Sequence, residues 1–492
     1  MKALSVLTAL LGLSAIAVVA RADGGYYTGP LGPRAAGRGG AFVARADDLT
    51  ATSINPAGLS EIEGTTLQIG NQLSYYGYDY TRAPTIDYGS SQNPPPTVTF
   101  ARVSNATPWQ AALPYLGGAT RFGLRDWAFA AAIFAPPGIS REQFPQNGGQ
   151  DYMMVSRQAI ILKTDLSAAW RFHDLFGVGL TIEWISVPRL DYSLVINGNP
   201  ATATGATTPV SSQLDLLAQT TGSDWLTFNA IVGGWFRPRP WLELGLAGQV
   251  LPANIVTKSN LTLTPVDPTG PLGSTPLTTQ REGNTASDVT IKLPLPLMAR
   301  AGARYRHLDG ARELFDVELD AEYETWSRVD AFTLDTNGLY AQENNTPPVL
   351  LGKIQIPKHW SDVFSVKLGG DVNLVPDRWT VRAGAYYETG VAPAAYSNVD
   401  FPGAKVFGAA LGGSLLLRRM EIALTYQLRY QPSFTVSEAD GRFYQQVPCV
   451  PSDTALHTCA APYSQTPPVV NAKTYASTSH LIALALIYRY GR

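Results

Sequence analysis

The chain has 492 residues and balanced charge, with 37 Lys and Arg against 39 Asp and Glu. This balance argues against a nucleic-acid partner, and the 15% of charged residues is low against the usual content of about a quarter. The 45 Gly, 36 Pro and 23 Tyr are typical of a β-rich chain with many turns.

The first residues predict export. Lys2 precedes an apolar run over residues 3–20, and Ala20-Arg21-Ala22 has the pattern of a signal-peptidase site. We therefore expect a signal peptide at residues 1–22, removed after Ala22. The alternative is an uncleaved membrane anchor, which the short apolar run disfavours.

The stretch ADDLTATSINPAGLSE (46–61) is polar but carries no nucleophile–base pair and no metal-ligand spacing. Pro56 fixes its own φ and disfavours helix at Asn55, whose side chain can satisfy nearby backbone groups. We expect Gly58 to permit the turn into the first strand. The motif residues are Asp47, Asp48, Asn55, Pro56, Ala57 and Gly58.

Fourteen stretches alternate apolar and polar residues with the period of two that β-strands require. In MEIALTYQLRY (420–430), for example, Ile422, Leu424 and Tyr426 oppose Glu421 and Thr425. A soluble sandwich alternates in the same way, but here the connections alternate between short and long, as in outer-membrane barrels. The predicted strands are about 65–81, 108–122, 127–135, 158–172, 176–188, 224–236, 241–252, 289–306, 313–326, 361–374, 379–390, 404–417, 420–431 and 478–490.

The eighth and ninth predicted strands carry opposite charges on their polar faces. Such ladders can pair across strands inside a wet lumen. We expect a structural role and hypothesise that they dock an N-terminal segment through Arg34, Arg38, Arg45, Asp47 or Asp48. The ladder residues are Arg300, Arg304, Asp316, Glu318, Asp320 and Glu322.

Cys449 and Cys459 lie close together in a Pro- and Ser-rich segment. In an exported protein this spacing favours a local disulfide; His457 leaves a metal site open as the alternative, although a fourth ligand is missing. We predict no metal site and no cofactor. The sequence also lacks a phosphate-binding loop, a G-x-S-x-G elbow and an H-E-x-x-H motif, which indicates that the protein is not an enzyme.

Three blocks resemble the FadL/TodX family of outer-membrane transporters of hydrophobic compounds. The first is GRGGAFVARADDLTATSINPAGLS, and the second pairs IKLPLPLMARAGARYR with LDAEYETWSRVD. The third runs from His359 to Lys405 and contains DRWTVRAGAYYETGVAPAAYSNVDFPGAK. GVAP and Pro402-Gly403 stand where the family often has SPVP and PD.

The resemblance implies an all-β, 14-stranded antiparallel transmembrane barrel over residues 65–492, with an N-terminal hatch at 23–64 plugging its lumen. It also implies a monomer in the bacterial outer membrane, surrounded by lipid. Ligand would be captured between the loops at about 189–223 and 253–288 and then held in a lumenal pocket. The family's third strand is kinked, and its counterpart here is about Trp127 to Pro137.

Two sets of residues are candidates for substrate contact. The stretch 211–222 could form a short helix with Leu214 and Leu217 on one face. Arg189 and Lys358 stand near the tops of the fifth and tenth strands, where family members carry cations for a carboxylate. The alternative for the two leucines is ordinary packing within the loop. The alternative for Arg189 and Lys358 is a solvated loop charge.

We therefore predict passive uptake of a hydrophobic small molecule, with long-chain fatty acids as the first choice of substrate. Monoaromatic hydrocarbons are the alternative within the family. A polar-solute porin would need an open lumen, and a barrel adhesin or outer-membrane lipase would need an exposed binding face or a Ser–His pair.

Overall fold

The computed structural model describes residues 31–86, 96–135, 141–197, 215–270, 272–342, 348–376, 378–401, 403–444 and 469–491. The predicted signal peptide (1–22), Leu214, Cys449 and Cys459 lie outside these residues. The described chain forms a short N-terminal segment followed by strands that close into one antiparallel barrel. No helix in these ranges is long and apolar enough to cross a membrane.

Fourteen strands make up the barrel wall in the described part of the chain, four of them in two pieces. They are β1 (Thr65–Arg82), β2 (Trp109–Thr120), β3 (Trp127–Phe134), β4 (Ser156–Phe172), β5 (Phe176–Asn197), β6 (Asp215–Arg239), β7 (Leu242–Gln249 and Asn254–Pro265), β8 (Asp288–Pro294 and Met298–Asp309), β9 (Arg312–Glu324 and Ala331–Asp335), β10 (Ile354–Pro357 and Val363–Val375), β11 (Trp379–Glu388), β12 (Val406–Leu417), β13 (Met420–Val436) and β14 (Lys473–Tyr490). Each wall strand pairs with its sequence neighbours, and β1 closes the barrel on β14 from Thr65↔Tyr490 to Arg82↔Lys473. The predicted fold class is confirmed.

The apolar faces of the strands point outward. On β14, Ile482, Leu484 and Leu486 are exposed, whereas the alternate residues Ala483 and Ala485 are buried. A soluble sandwich would bury the larger apolar side chains, so this arrangement fits a wall that faces lipid. Aromatic residues crowd the end with the short turns, where Trp127 stacks on Phe129 and Tyr490 is 60% exposed.

Several predicted boundaries were wrong, although the fourteen strand positions were right. Residues 215–222 form strand rather than the short helix expected at 211–222, because they pair with β5 on one side and with β7 on the other. β5 and β6 thus extend past the predicted strand ends into the predicted capture loop. β7 to β10 are each interrupted; in β8 the break falls at Leu295-Pro296-Leu297.

The N-terminal segment, which we call the plug (residues 31–64), lies inside the barrel. It contains α1 (Pro33–Gly37), α2 (Ala51–Ile54) and a 3₁₀ helix (Pro56–Glu61). Its apolar side packs Phe42, Leu49 and Leu59 against the wall residues Phe134 and Ile487. The plug is therefore part of the folded core and not a loose tail.

The direction of the faces can be tested with one substitution in the middle of the wall. We expect Leu484→Arg to cost about 2–4 kcal/mol of unfolding free energy, because it places a charge in the lipid core. Leu417 also faces outward, but it lies at the short-turn end of the wall. Leu417→Arg should therefore cost only about 0–1 kcal/mol. Denaturant unfolding in liposomes measures both, and equal losses would contradict the outward assignment.

Candidate functional site

The plug is held to the wall by a buried arginine. Arg38 Nη1 lies 2.7 Å from Asp316 and 2.9 Å from Asp371, and its Nη2 lies 2.9 Å from Glu318. All four side chains are buried. Charges removed from water in this way need close partners of opposite sign. Arg38 is such a partner for the three carboxylates, and they are its partners in turn.

Backbone groups of the plug complete the attachment. The N–H groups of Phe42 and Val43 donate to Asp320 at 2.7 and 2.9 Å. The N–H of Ala44 donates to Glu318 at 2.6 Å. Carboxylates of the wall thus accept hydrogen bonds from plug N–H groups that lie outside the plug's own helices.

The arginines of the predicted ladder lie in the same lumen. Arg300 pairs with Glu322 at 2.7 Å and also donates to the plug carbonyl of Ser53 at 2.8 Å. Arg304 lies 2.6 Å from Asp316 and 2.5 Å from Glu243. The structure therefore brings all six ladder residues into contacts with one another or with the plug.

The two acids of the plug motif stay within the plug. Asp47 lies 2.9 Å from Arg34 and 3.3 Å from Arg45. Burial opposes ionisation of Asp47, but these two arginines hold its pKa well below the usual range. Asp48 accepts hydrogen bonds from the N–H and Oγ1 of Thr50, and burial raises the pKa of its carboxyl.

Asn55 joins two segments of the plug to the wall. Its Nδ2 donates to the carbonyls of Val43 at 2.8 Å and Gly234 at 3.1 Å. Its Oδ1 accepts from the N–H of Ala57 at 3.2 Å and so caps the 3₁₀ helix that Pro56 begins. The carbonyl of Ala57 in turn accepts from Trp235 Nε1 at 3.1 Å.

Gly58 does not make the turn into β1, as we had expected. A Cβ on Gly58 would lie 2.2 Å from the carbonyl oxygen of Ala46, so this glycine permits close packing within the plug. The turn belongs to Gly64, whose φ of +63° favours glycine.

An apolar pocket occupies the lumen on the side of the long connections. It encloses about 910 Å³ of empty space, counting the part that opens to solvent. Its lining comes from β4 to β10 and from the connection between β11 and β12, and it includes Leu190, Leu194, Ile255, Ile291, Phe332 and Phe401. A second cavity of about 960 Å³ lies between this pocket and the plug, and its lining includes charged residues such as Lys163, Arg300 and Glu322.

Two cations stand at the apolar pocket, and each has a buried acidic partner. Lys358 Nζ lies 2.6 Å from both carboxylate oxygens of Asp400, which also accepts from the hydroxyl of Tyr192 at 3.1 Å. Arg157 pairs with Glu142 at 2.7 Å. The cluster of two cations and two carboxylates is formally neutral.

The predicted substrate residues do not come together. Arg189 is exposed and lies 2.5 Å from Asp191, away from the pocket lining, whereas its neighbour Leu190 faces inward. Lys358 is buried directly behind the lining, 4.5 Å from the Phe332 ring. Leu217 is partly buried against the core around the pocket.

Sequence reasoning missed Arg157, Glu142, Tyr192 and Asp400. Asp400 lies in the block NVDFPG that carries the family resemblance, so a search for acids near Lys358 could have found it. The other three are cross-strand neighbours, since Arg157 pairs with Glu142 on one side and with Tyr192 on the other, but no sequence motif marks them.

In the described residues, the ladder of backbone pairs beside β3 is interrupted. The pairing of β3 with β4 ends at Phe134↔Lys163, and the next pair along β4 is Arg141↔Gln158. On the other side, the side chain of Gln110 takes the place of a ladder partner: it exchanges two hydrogen bonds of 2.8 Å with the backbone of Arg141. The described residues thus leave an interval without ladder pairing between β3 and its neighbours.

Removing the central arginine should loosen the plug. Arg38→Ala removes the arginine paired with the buried Glu318, and breaking such a buried pair typically costs about 3–5 kcal/mol. We expect faster hydrogen exchange throughout residues 33–61, with little change in the strands. Arg102→Ala, at the exposed Arg102–Asp79 pair, is the control. Unchanged exchange in the plug of the Arg38 variant would contradict the docking role.

Comparisons with known proteins agree with this architecture. Residues 20–440 match the family described as outer membrane protein transport protein (OMPP1/FadL/TodX). None of the curated protein sequences matches the chain.

Solved structures show the same fold. A Pseudomonas aeruginosa FadL homologue has 15% identity and a TM-score of 0.72, covering 95% of this chain and 100% of that one. The toluene transporter TodX of P. putida has 14% identity and a TM-score of 0.62, covering 94% and 99%. The Ralstonia pickettii toluene transporter TbuX has 14% identity and a TM-score of 0.59, with the same coverage.

The family match covers most of the chain, and the closed barrel, the outward apolar faces and the plugged lumen agree with it. The protein is therefore a bacterial outer-membrane channel for hydrophobic compounds, without enzymatic activity, and it belongs to the OMPP1/FadL/TodX family.

Proposed function

We propose that the protein takes up uncharged hydrophobic small molecules passively, by way of the apolar pocket above the plug. The observation that carries this proposal is the charge-balanced cluster at an otherwise apolar lining. Ligand pockets are concave and mostly apolar, with few polar groups that select the ligand. Here the polar groups at the pocket are already paired with one another.

A carboxylate ligand would have to compete for these cations. Lys358 is fully buried and contacts both oxygens of Asp400, so a fatty acid would bring a second negative charge to a site that is already neutral. An uncharged hydrocarbon carries no such cost. The toluene transporters TodX and TbuX share the fold and add support for this substrate class.

Long-chain fatty acids are the second candidate. The specific observation in their favour is that Arg157 lines the pocket and that its Nε lacks a hydrogen-bond acceptor in the described residues. A carboxylate that reached this guanidinium could gain a charge-assisted bond. The FadL homologue among the similar structures is in keeping with this candidate.

The route would run from the long connections into the pocket and then through the wall. Capture would occur between the segments at about 189–223 and 253–288, of which the described residues form extensions of β5, β6 and β7. We infer a lateral path to the membrane beside β3, because the described ladder pairs stop at Phe134 and resume at Arg141. Displacement of the plug would regulate release.

Asp400 distinguishes the two substrate classes. Asp400→Asn leaves Lys358 without its carboxylate, so a fatty acid can supply the missing charge. We expect oleate to bind about tenfold more tightly, which corresponds to about 1.4 kcal/mol, whereas toluene affinity should not change. Calorimetry in detergent measures both ligands, and Asp79→Asn at the exposed extracellular pair is the matched control.

The opposite result would favour fatty acids. If the native protein binds oleate tightly, if Lys358→Met abolishes that binding and if Asp400→Asn does not improve it, then Lys358 already serves a carboxylate. The proposal for uncharged substrates would then be wrong, although the transport of hydrophobic compounds would stand.

A further inference from the structure

The short-turn end of the barrel carries exposed arginines that the transport route does not use. Arg418 and Arg419 form the tip of the β12–β13 hairpin, and Arg378 precedes β11 in the neighbouring turn. All three are exposed. In the described part of the chain, no carboxylate forms an ion pair with any of them.

These arginines lie together. The N–H of Leu416 donates to the carbonyl of Arg378 at 2.9 Å, and the N–H of Arg489 donates to the carbonyl of Arg419 at 2.8 Å. The two turns and the end of β14 therefore form one patch.

The hairpin tip of the patch faces the membrane, whereas Arg378 lines the mouth of the lumen beside Glu313 and Thr380. The Arg419 guanidinium lies 5.5 Å from the centre of the Tyr490 ring, and Tyr490 is an outward residue of β14. Outward apolar residues surround it: Trp379 is 47% exposed and Leu417 is 42% exposed. An arginine above such a belt of apolar residues sits at the level of lipid headgroups.

The turn chemistry is also unusual. Two-residue hairpin turns favour Asn, Asp and Gly because their backbone needs positive φ, yet Arg418 takes this conformation with a φ of 56°. Arginine gives the hairpin no conformational advantage here. It does provide planar donors that bind phosphate oxygens in pairs.

We propose that Arg418 and Arg419 form a binding site for the phosphate headgroup of an anionic phospholipid. The short turns of such barrels face the periplasm, so the lipid would belong to the periplasmic leaflet. Lipopolysaccharide phosphates lie at the other end. An acidic periplasmic protein would not require the outward Tyr490 and Trp379, which suit acyl chains.

The test uses the intact protein in nanodiscs made of equal parts phosphatidylglycerol and phosphatidylcholine. Native mass spectrometry measures which lipid stays bound. We expect the native protein to prefer phosphatidylglycerol at least about fivefold, the factor expected for one surface arginine near anionic lipid. Arg418→Gln and Arg419→Gln together should remove this preference.

Two control variants separate the site from general effects. The double lysine variant at the same positions keeps the charge and should keep most of the preference. Arg102→Gln, Arg281→Gln and Lys353→Gln remove three cations from exposed ion pairs at the opposite end and should leave the preference intact.

Three results would overturn the proposal. One is retention of the full preference by the double Gln variant, and another is an equal loss in the control at the opposite end. Displacement of the lipid by millimolar glycerol phosphate at constant ionic strength would instead indicate a site for a soluble anion. Loss of binding in high salt, without such displacement, is the behaviour expected of a headgroup site.

Discussion

The structure depends on one constraint, namely that charges inside the lumen must be neutralised where they are buried. Arg38 meets it by contacting Asp316, Glu318 and Asp371 at once. The wall supplies acids on β9 and β10, and the plug supplies the cation. A plug without Arg38 would leave the buried Glu318 without its paired arginine, so neutralisation of this acid favours a plugged lumen.

The same constraint shapes the pocket. Lys358 and Arg157 stand beside apolar side chains, and Asp400 and Glu142 neutralise them. The lumen is thus divided into a charged region that holds the plug and an apolar region that can accept a ligand. The plug blocks the axis of the barrel. A hydrophobic molecule in the pocket is also more compatible with the apolar membrane than with the aqueous periplasm. The interval beside β3 fits this division.

The wall could be predicted from the sequence because strand alternation is local. The alternation along the strand places Tyr426 and Gln427 on opposite faces, and no information about a partner strand is needed to assign them. Contacts between distant residues could not be read in this way: Gly58 packs on Ala46, and Lys358 pairs with Asp400, only after the chain has closed. The helix expected around Leu217 failed because pairing with two neighbouring strands outweighed the local i, i+3 pattern.

The central claim is that the intact barrel passes hydrophobic molecules while it remains closed to ions. Conductance in planar bilayers, combined with uptake of toluene by vesicles from the same preparation, tests this claim directly. The account predicts no steady ion current together with protein-dependent uptake of toluene. A large, stable conductance of the intact protein would contradict it, because that is the behaviour of an open polar porin.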